Sequence, residues 1–138
     1  MAEFQLNERL EADSHPVCAL ELCDVRLMND SRYVWLLLIP RRAGLSEWHD
    51  LSAGEAAQLS AEISQTSGTL KALTGATKIN VAAIGNMVRQ MHVHVVARHE
   101  NDETWPGTVW NAGQAKPYDA TAREAQCNEI SQELASGV

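Results

Sequence analysis

The chain is poor in basic side chains, in cysteine and in long apolar runs. Lysine and arginine total 11 against 18 aspartate and glutamate, giving a formal net charge of −7 at pH 7. This acidity argues against binding of DNA or RNA polymers, which requires a basic surface. Cys18, Cys23 and Cys127 cannot all pair within one chain, and their spacing matches neither a C-x-x-C motif nor a zinc ribbon. Reduced thiols and a cytoplasmic location are therefore expected.

No apolar run approaches the roughly 20 residues that a membrane-spanning helix needs, and the first residues lack the apolar core of a signal peptide. We therefore expect a soluble protein without membrane contact. Hydrophobic residues make up 45% of the 138 positions, which is enough for one sizeable core. The composition predicts a single domain over residues 1–138.

Periodicity along the chain predicts three helices. Leu6 and Leu10 indicate a short first helix that ends before Pro16. Ser52 begins a capping box and predicts the start of a long amphipathic helix that ends at Gly75. After a long loop over 99–118, a final helix is predicted over about 119–135.

Strands are predicted between these helices, from apolar runs bounded by turn signals. The predicted strands are 17–22, 25–28, 34–39, 78–84 and 88–97. Together the elements predict an α+β fold with a mostly antiparallel sheet of about five strands. One long helix packs on the sheet, with further helices at the N- and C-terminal ends.

The most informative segment is the predicted strand that contains Gln90-Met91-His92-Val93-His94-Val95-Val96. Strict alternation predicts that Gln90, His92 and His94 share one face of this strand while aliphatic side chains line the other. Two imidazoles at this spacing can converge on one ligand. The glycine turn that begins at Gly85, just before the strand, offers backbone amides for an anion.

Three interpretations of the histidine pair are open from the residues alone. The first is a structural pair on a solvent-facing strand. The second is a metal site whose ligand set is completed by His99 or Glu100, although the lack of any histidine in residues 101–138 disfavours a cupin-type site. The third is nucleophilic catalysis, in which a neutral imidazole attacks phosphorus and its neighbour contacts the phosphoryl or leaving group.

The segment from Gly85 to Val96 resembles the signature of the histidine triad (HIT) superfamily of nucleotide hydrolases and transferases. That signature is H-φ-H-φ-H-φ-φ, where φ is apolar, preceded by a G-Q-S/T-V phosphate loop. Gln90 takes the first triad position, His92 the central one and His94 the third. The resemblance covers about residues 17–110 and implies a HIT-like fold.

Within the superfamily, the chain looks like a bacterial HIT-like group with Q-φ-H-φ-H, a following arginine and a W-P-G-x-V-W segment. Here these are Arg98 and the segment from Trp105 to Trp110. The two tryptophans indicate that the long loop either docks on the protein or walls a pocket, its own or that of a partner subunit.

The resemblance implies a role for each matching residue. His92 is the expected nucleophile that attacks the α-phosphorus and becomes nucleotidylated, and His94 is expected to contact phosphate or the departing group. Asp30 is expected to accept hydrogen bonds from ribose hydroxyls. The substrate-binding residues implied in this way are Asn29, Asp30, Asn80, Gly85, Asn86, Met87, Val88, Arg98 and Trp105.

Gln90, the third expected catalytic residue, is the main departure from the family pattern, because glutamine forms hydrogen bonds but cannot titrate. It is therefore expected to orient the ligand rather than to transfer a proton. Asn86 and Met87 also depart from the phosphate loop. The leading hypothesis is a nucleotide hydrolase or nucleotidyl transferase acting through His92. The alternatives are a nucleotide-binding module without turnover and, less favoured, a metal-binding H-x-H protein. The resemblance further implies a homodimer and a nucleotide as small-molecule substrate. No cofactor is expected to be required, and a divalent cation can enter with the substrate.

Overall fold

The computed structural model describes residues 3–136. Its elements in chain order are α1 Glu8–Asp13, β1 Ser14–Ala19, β2 Cys23–Met28, β3 Val34–Pro40, a 3-10 turn Trp48–Asp50, α2 Ala53–Thr74, β4 Lys78–Ala82, β5 Val93–Arg98 and α3 Ala120–Ser136. The strands form one five-stranded sheet in the order β1-β2-β3-β5-β4, and every neighbouring pair is antiparallel. The predicted α+β fold, with its antiparallel sheet, long helix and terminal helices, is confirmed.

The long helix α2 begins and ends where its sequence signals place it. The Ser52 hydroxyl accepts from the Glu55 amide at 3.2 Å, and the Glu55 carboxylate accepts from the Ser52 amide at 2.9 Å. At the other end Gly75 adopts a left-handed conformation with φ of 66°, which a residue with a Cβ adopts at a cost. Leu59 and Leu70 on the apolar stripe are completely buried, so this face packs on the sheet.

The predicted strand boundaries are wrong at several ends, most of all in β1 and β5. β1 begins at Ser14 rather than at residue 17, because Ser14 pairs with Met28 of β2. Pro16 is tolerated there since β1 is an edge strand. β5 begins at Val93 rather than at residue 88, because β3 supplies partners only as far back as Val93 and β4 only as far back as His94.

The two central strands, β3 and β5, divide the interior into two layers, one on each face of the sheet. The layer beneath α2 and α3, called the helix-side core, includes Leu36, Leu38, Val93, Val95, Leu59, Leu70, Ile130 and Leu134. The layer on the opposite face, called the site-side core, consists of Leu10, Tyr33, Trp35, Leu37, Ile39, Val96 and Val109. The site-side core is covered by the N-terminal segment and the loop 99–118 rather than by long helices, which leaves room for a cleft.

Two further features concern the sequence predictions. Cys18, Cys23 and Cys127 are free thiols. Within residues 3–136, no helix is long and apolar enough to cross a membrane. The assignment of residues 1–138 to one domain stays a prediction.

Candidate functional site

His92 and His94 lie at the start of β5, on the side of the sheet that holds the site-side core. Their ring centroids are 5.0 Å apart, and the two residues are 7% and 5% exposed. The rings converge as the alternation predicts, although His92 precedes the first paired residue of the strand. A small ligand that reaches one imidazole therefore meets the other.

The backbone fixes which nitrogen of His92 is free to react. Its Nδ1 lies 2.7 Å from the carbonyl oxygen of Gln90. Because a carbonyl only accepts, Nδ1 of the neutral ring must carry the hydrogen, and Nε2 then holds the lone pair. His92 thus presents its Nε2 as a nucleophile.

His94 is held in the opposite tautomer by a side chain of the neighbouring strand. The indole N–H of Trp35 donates to Nδ1 of His94 over 3.0 Å, and an indole nitrogen cannot accept. The hydrogen of neutral His94 is therefore on Nε2. Burial, together with the adjacent His92, lowers the pKa of His94 to about 3, so this ring is a neutral hydrogen-bond donor near pH 7.

The Trp35 hydrogen bond predicts the effect of one substitution. Trp35→Phe keeps an aromatic ring but removes the donor, so His94 is expected to populate both neutral tautomers. A hydrogen bond of about 1 kcal/mol sets the ratio of the two tautomers, so this ratio should shift by several-fold to about tenfold. Nitrogen-15 NMR of the histidine rings measures the tautomer directly.

Trp110 supplies the matched control for this experiment. Its ring contacts His94 edge-on with centroids 5.3 Å apart, and its buried indole N–H has no hydrogen-bond partner within residues 3–136. Trp110→Phe should leave the His94 tautomer unchanged. An unaltered tautomer in Trp35→Phe would contradict the proposed role of Trp35.

The two imidazoles open into a cleft of about 370 Å³. Its other walls are Trp35, Trp110, α1 and the turn after β4. Among residues 3–136, the side chains and backbone that line it belong to Arg9, Leu10, Asp13, Met28, Trp35, Ile84, Gly85, Asn86, Met87, Val88, His92, His94, Trp110 and Asn111. A larger cavity of about 570 Å³ lies between β1, α2 and α3 but contains no histidine. Chemistry rather than volume therefore identifies the candidate site.

The turn after β4 lies against the histidines, as the phosphate-loop interpretation expects. Gly85 has a φ of 68°, and a Cβ there would lie 3.3 Å from the Val88 carbonyl oxygen. The closeness of this turn therefore favours glycine. Met87 is 75% exposed and stands at the rim, so the structure brings residues 85–88 and both histidines to one cleft.

Asn29 and Asp30 lie beside this cleft and have protein partners. Asp30 is 1% exposed, and its carboxylate accepts from the Arg32 guanidinium at 2.8 Å and from the Lys116 amide at 3.3 Å. Burial alone would raise the pKa of Asp30, but these hydrogen bonds outweigh it and lower the pKa. The Asn29 side chain accepts from the Tyr118 amide at 3.0 Å.

These two residues line an adjoining cavity of about 490 Å³, which shares Asp13, Met28, Trp35 and Asn111 with the histidine cleft. Arg32 also donates to the carbonyl oxygen of Ala112 at 2.8 Å, so the Asp30–Arg32 pair fastens the loop 99–118 to the sheet. The ribose contact expected of Asp30 stays a prediction.

Arg98, Asn80 and Trp105 are brought together, but not at the histidine cleft, whose described lining does not include them. Arg98 is 1% exposed and donates to the Asp102 carboxylate at 2.8 Å and 3.0 Å and to the Asn80 side chain at 3.0 Å. The Trp105 ring lies 5.7 Å from the guanidinium. Because its donors are already engaged, Arg98 here supports the loop, and the substrate contacts expected of the three residues stay predictions.

Gln90 does not direct its side chain into the cleft. Its amide oxygen accepts from the Asn7 backbone N–H, and its amide nitrogen donates to the Gln5 carbonyl oxygen, both over 2.8 Å. Only its backbone carbonyl serves His92. The glutamine therefore joins the first triad position to the N-terminal segment.

Sequence reasoning missed Trp35 and Arg9 as members of the site. Trp35 had a usable signal, since it is the one hydrogen-bond donor side chain in the apolar run 34–39. Arg9 had no such signal, because α1 comes from the opposite end of the chain.

Metal binding was the second interpretation of the histidine pair. No group of three or more His, Cys, Asp or Glu in residues 3–136 is placed to hold an ion, so His99 and Glu100 do not complete a ligand set around the pair.

Comparison with known proteins agrees with the fold. The HIT domain family matches residues 9–101. A histidine triad protein from Sinorhizobium meliloti 1021 is 43% identical, with 98% of this chain and 97% of that chain covered and a TM-score of 0.90. A histidine triad protein from Marinobacter aquaeolei VT8 is 38% identical, covers 99% and 100%, and has a TM-score of 0.95.

A third structure, the histidine triad protein blr8122 from Bradyrhizobium japonicum, is 38% identical, with 96% of this chain and 99% of that chain covered and a TM-score of 0.94. No curated protein sequence matches the chain significantly. The extent of the family match and the identity of these structures show that the chain belongs to the HIT domain family.

Proposed function

We propose that this protein is a nucleotide hydrolase or nucleotidyl transferase that works through a covalent nucleotidyl-His92. The observation that carries the proposal is the opposite protonation of the Nε2 atoms of the two imidazole rings. Nε2 of His92 holds a lone pair because the Gln90 carbonyl fixes Nδ1–H, while Nε2 of His94 holds a hydrogen because Trp35 occupies its Nδ1. A nucleophile and a hydrogen-bond donor thus lie side by side in one cleft.

In the first half-reaction the Nε2 lone pair of His92 forms a bond to the α-phosphorus, and the bond from phosphorus to the leaving group breaks. The leaving group departs with that electron pair and takes a proton from solvent. The positive charge that develops on the imidazole is stabilised by the hydrogen bond from Nδ1 to the Gln90 carbonyl. His94 donates to a phosphoryl oxygen or to the departing atom.

In the second half-reaction water attacks the phosphorus, the N–P bond breaks, and its electron pair returns to Nε2 of His92. The proton lost by water passes to solvent, and a nucleoside monophosphate is released. A different acceptor in place of water makes the reaction a transfer. The turn at residues 85–88 is suited to hold non-bridging oxygens, because it lines the cleft beside both rings.

Gln90 does not argue against turnover. Its side chain is bonded to the N-terminal segment, and what His92 needs from this position is the backbone carbonyl, which any residue supplies. This favours an enzyme over a binding module that has lost its activity.

A product screen tests the proposal. The purified protein is incubated with adenosine and guanosine phosphoramidates, dinucleoside polyphosphates and nucleotidyl sugars, and nucleoside monophosphate is measured by chromatography. Release of monophosphate from at least one class is expected. Tight nucleotide binding without product over long incubation would instead identify a binding module.

The proposal includes the setting of the reaction. A nucleotide is the small-molecule partner, no cofactor is required, and a divalent cation enters only with the substrate phosphates. Three free thiols, including the fully buried Cys23, suit a reducing compartment such as the cytoplasm.

A symmetric homodimer is the proposed assembly. Light scattering at micromolar concentration should then give twice the chain mass of 15.2 kDa. A mass of one chain across that range would count against the dimer.

A further inference from the structure

The N-terminal segment is attached to the candidate site by the amide of Gln90. The Asn7 N–H and the Gln5 carbonyl oxygen, two residues apart, both bond this one side chain over 2.8 Å. A primary amide presents its donor and its acceptor at the same end of the side chain. The two nitrogens of an imidazole point in different directions, so a histidine at this position cannot reproduce the pair.

The attached segment leads directly into α1, whose placement is then fixed. The Asn7 side chain caps the helix by accepting from the Arg9 amide at 2.8 Å. One residue further on, Leu10 is 4% exposed and packs in the site-side core. Gln90 and Leu10 therefore hold α1 from both sides, at the wall of the histidine cleft.

Arg9 is the residue that α1 brings to the ligand. Within residues 3–136 it is the one lysine or arginine that lines the cleft with His92 and His94, in a chain of net charge −7. Its ion pair with Asp13 is 3.6 Å long, and the two side chains are 59% and 53% exposed. Such an exposed ion pair is weak, so a phosphate group can replace Asp13 as the partner of the Arg9 guanidinium.

We propose that Arg9 binds the phosphate of the bound nucleotide and that Gln90 is a positioning residue that holds the Arg9 segment at the cleft. The proposal rests on the proposed function for its ligand. The proposal also explains why glutamine occupies the first triad position. A histidine there would supply a titratable ring, whereas the Gln90 side chain holds in place the segment that carries Arg9, whose positive charge is permanent.

Dissociation constants of adenosine 5′-monophosphate and adenosine test the role of Arg9. Arg9→Gln should weaken binding of the monophosphate about tenfold, the loss expected of a charge-assisted hydrogen bond, and leave adenosine binding unchanged. Lys71→Gln, which removes an equal charge from exposed surface of α2, should change neither. Equal weakening of both ligands by Arg9→Gln, or no weakening, would overturn the role.

The link between the two residues is tested by a double-mutant cycle. Gln90→Ala should weaken monophosphate binding in the same way as Arg9→Gln, and the double variant should be no weaker than the more affected single variant, because both changes remove one contact. Additive losses would show that Gln90 does not act through Arg9.

Hydrogen exchange of the N-terminal amides tests the clamp without any ligand. In Gln90→Ala the Asn7 amide and those of α1 should exchange faster than in the wild type, and in Arg9→Gln they should not. Unchanged exchange in Gln90→Ala would overturn the clamp. A wild-type protein that binds neither ligand would refute the nucleotide function and the role of Arg9, while the exchange result would still decide the clamp.

Discussion

Replacement of His92 by alanine is expected to reduce turnover by roughly three orders of magnitude or more, because the nucleophile itself is lost. Nucleotide binding should persist, since the turn at residues 85–88, His94 and the aromatic walls are unchanged. The fold should persist as well, because the imidazole stands at the wall of the cleft and bonds only the Gln90 carbonyl. Steady-state kinetics, calorimetry and thermal unfolding measure the three expectations separately.

His49→Ala provides the control for histidine removal, since the His49 side chain is 84% exposed and lines neither of the two cavities that contain His92. It should retain full activity. Acid-quenched wild-type protein should carry one added nucleotidyl mass, and His92→Ala should carry none. Activity retained in purified His92→Ala would rule out the covalent mechanism.

Replacement of Asp102 by alanine is expected to have the largest effect on stability. The side chains of Arg98 and Asp102 are 1% and 5% exposed, and the carboxylate also accepts from the amides of His99 and Thr104. Removal leaves a buried guanidinium without its counter-charge, which costs about 3–5 kcal/mol of the free energy of unfolding. Urea denaturation measures the loss.

The neighbouring acidic residue gives a matched control. Glu103 also pairs with an arginine, Arg32, at 3.0 Å, but its side chain is 49% exposed, so Glu103→Ala should cost less than about 1 kcal/mol. Asp102→Ala combined with Arg98→Met should recover part of the loss, because no buried charge is left unpaired. Equal effects of Asp102→Ala and Glu103→Ala would contradict the account.

The Asp102 pair also predicts a pH dependence. Burial by itself would raise the pKa of Asp102, but the hydrogen bonds from Arg98 and from the His99 amide lower it from 3.8 to about 2. A lowered carboxyl pKa stabilises the folded state above the unfolded value, and the contribution is lost as pH falls through the folded value. The stability difference between wild type and Asp102→Ala should therefore shrink from about pH 5 to about pH 2.

The end of a helix or strand can be predicted from the sequence when the contacts that determine it are made by residues close by in the chain. The start and end of α2 follow from Ser52, Glu55 and Gly75, which act within a few residues of themselves, so the sequence was sufficient. The beginning of β5 depends on where its neighbouring strands stop, and β3, which pairs with its first residue, ends at Pro40, far earlier in the chain. The alternation of residues along one strand does not indicate how long the neighbouring strands are.

The candidate site shows the same division. The convergence of His92 and His94 could be read from their spacing, but the tautomer of His94 is set by Trp35, 59 residues away. The side chain of Gln90 was expected at the ligand and instead bonds backbone 83 and 85 residues away. Conversely, the Arg98–Asp102 pair spans only four residues and is local enough to predict from spacing, whereas the family resemblance implied a substrate contact for Arg98.

The loop 99–118 is fastened to the sheet near each of its ends, by Arg98 at Asp102 and by Arg32 at Ala112. The wall that contains Trp110 is therefore in place before any ligand arrives, and its conformational entropy is lost during folding rather than during binding. Affinity is not reduced by the ordering of this segment, and association should proceed at a rate set by diffusion into an open cleft rather than by the closing of a lid.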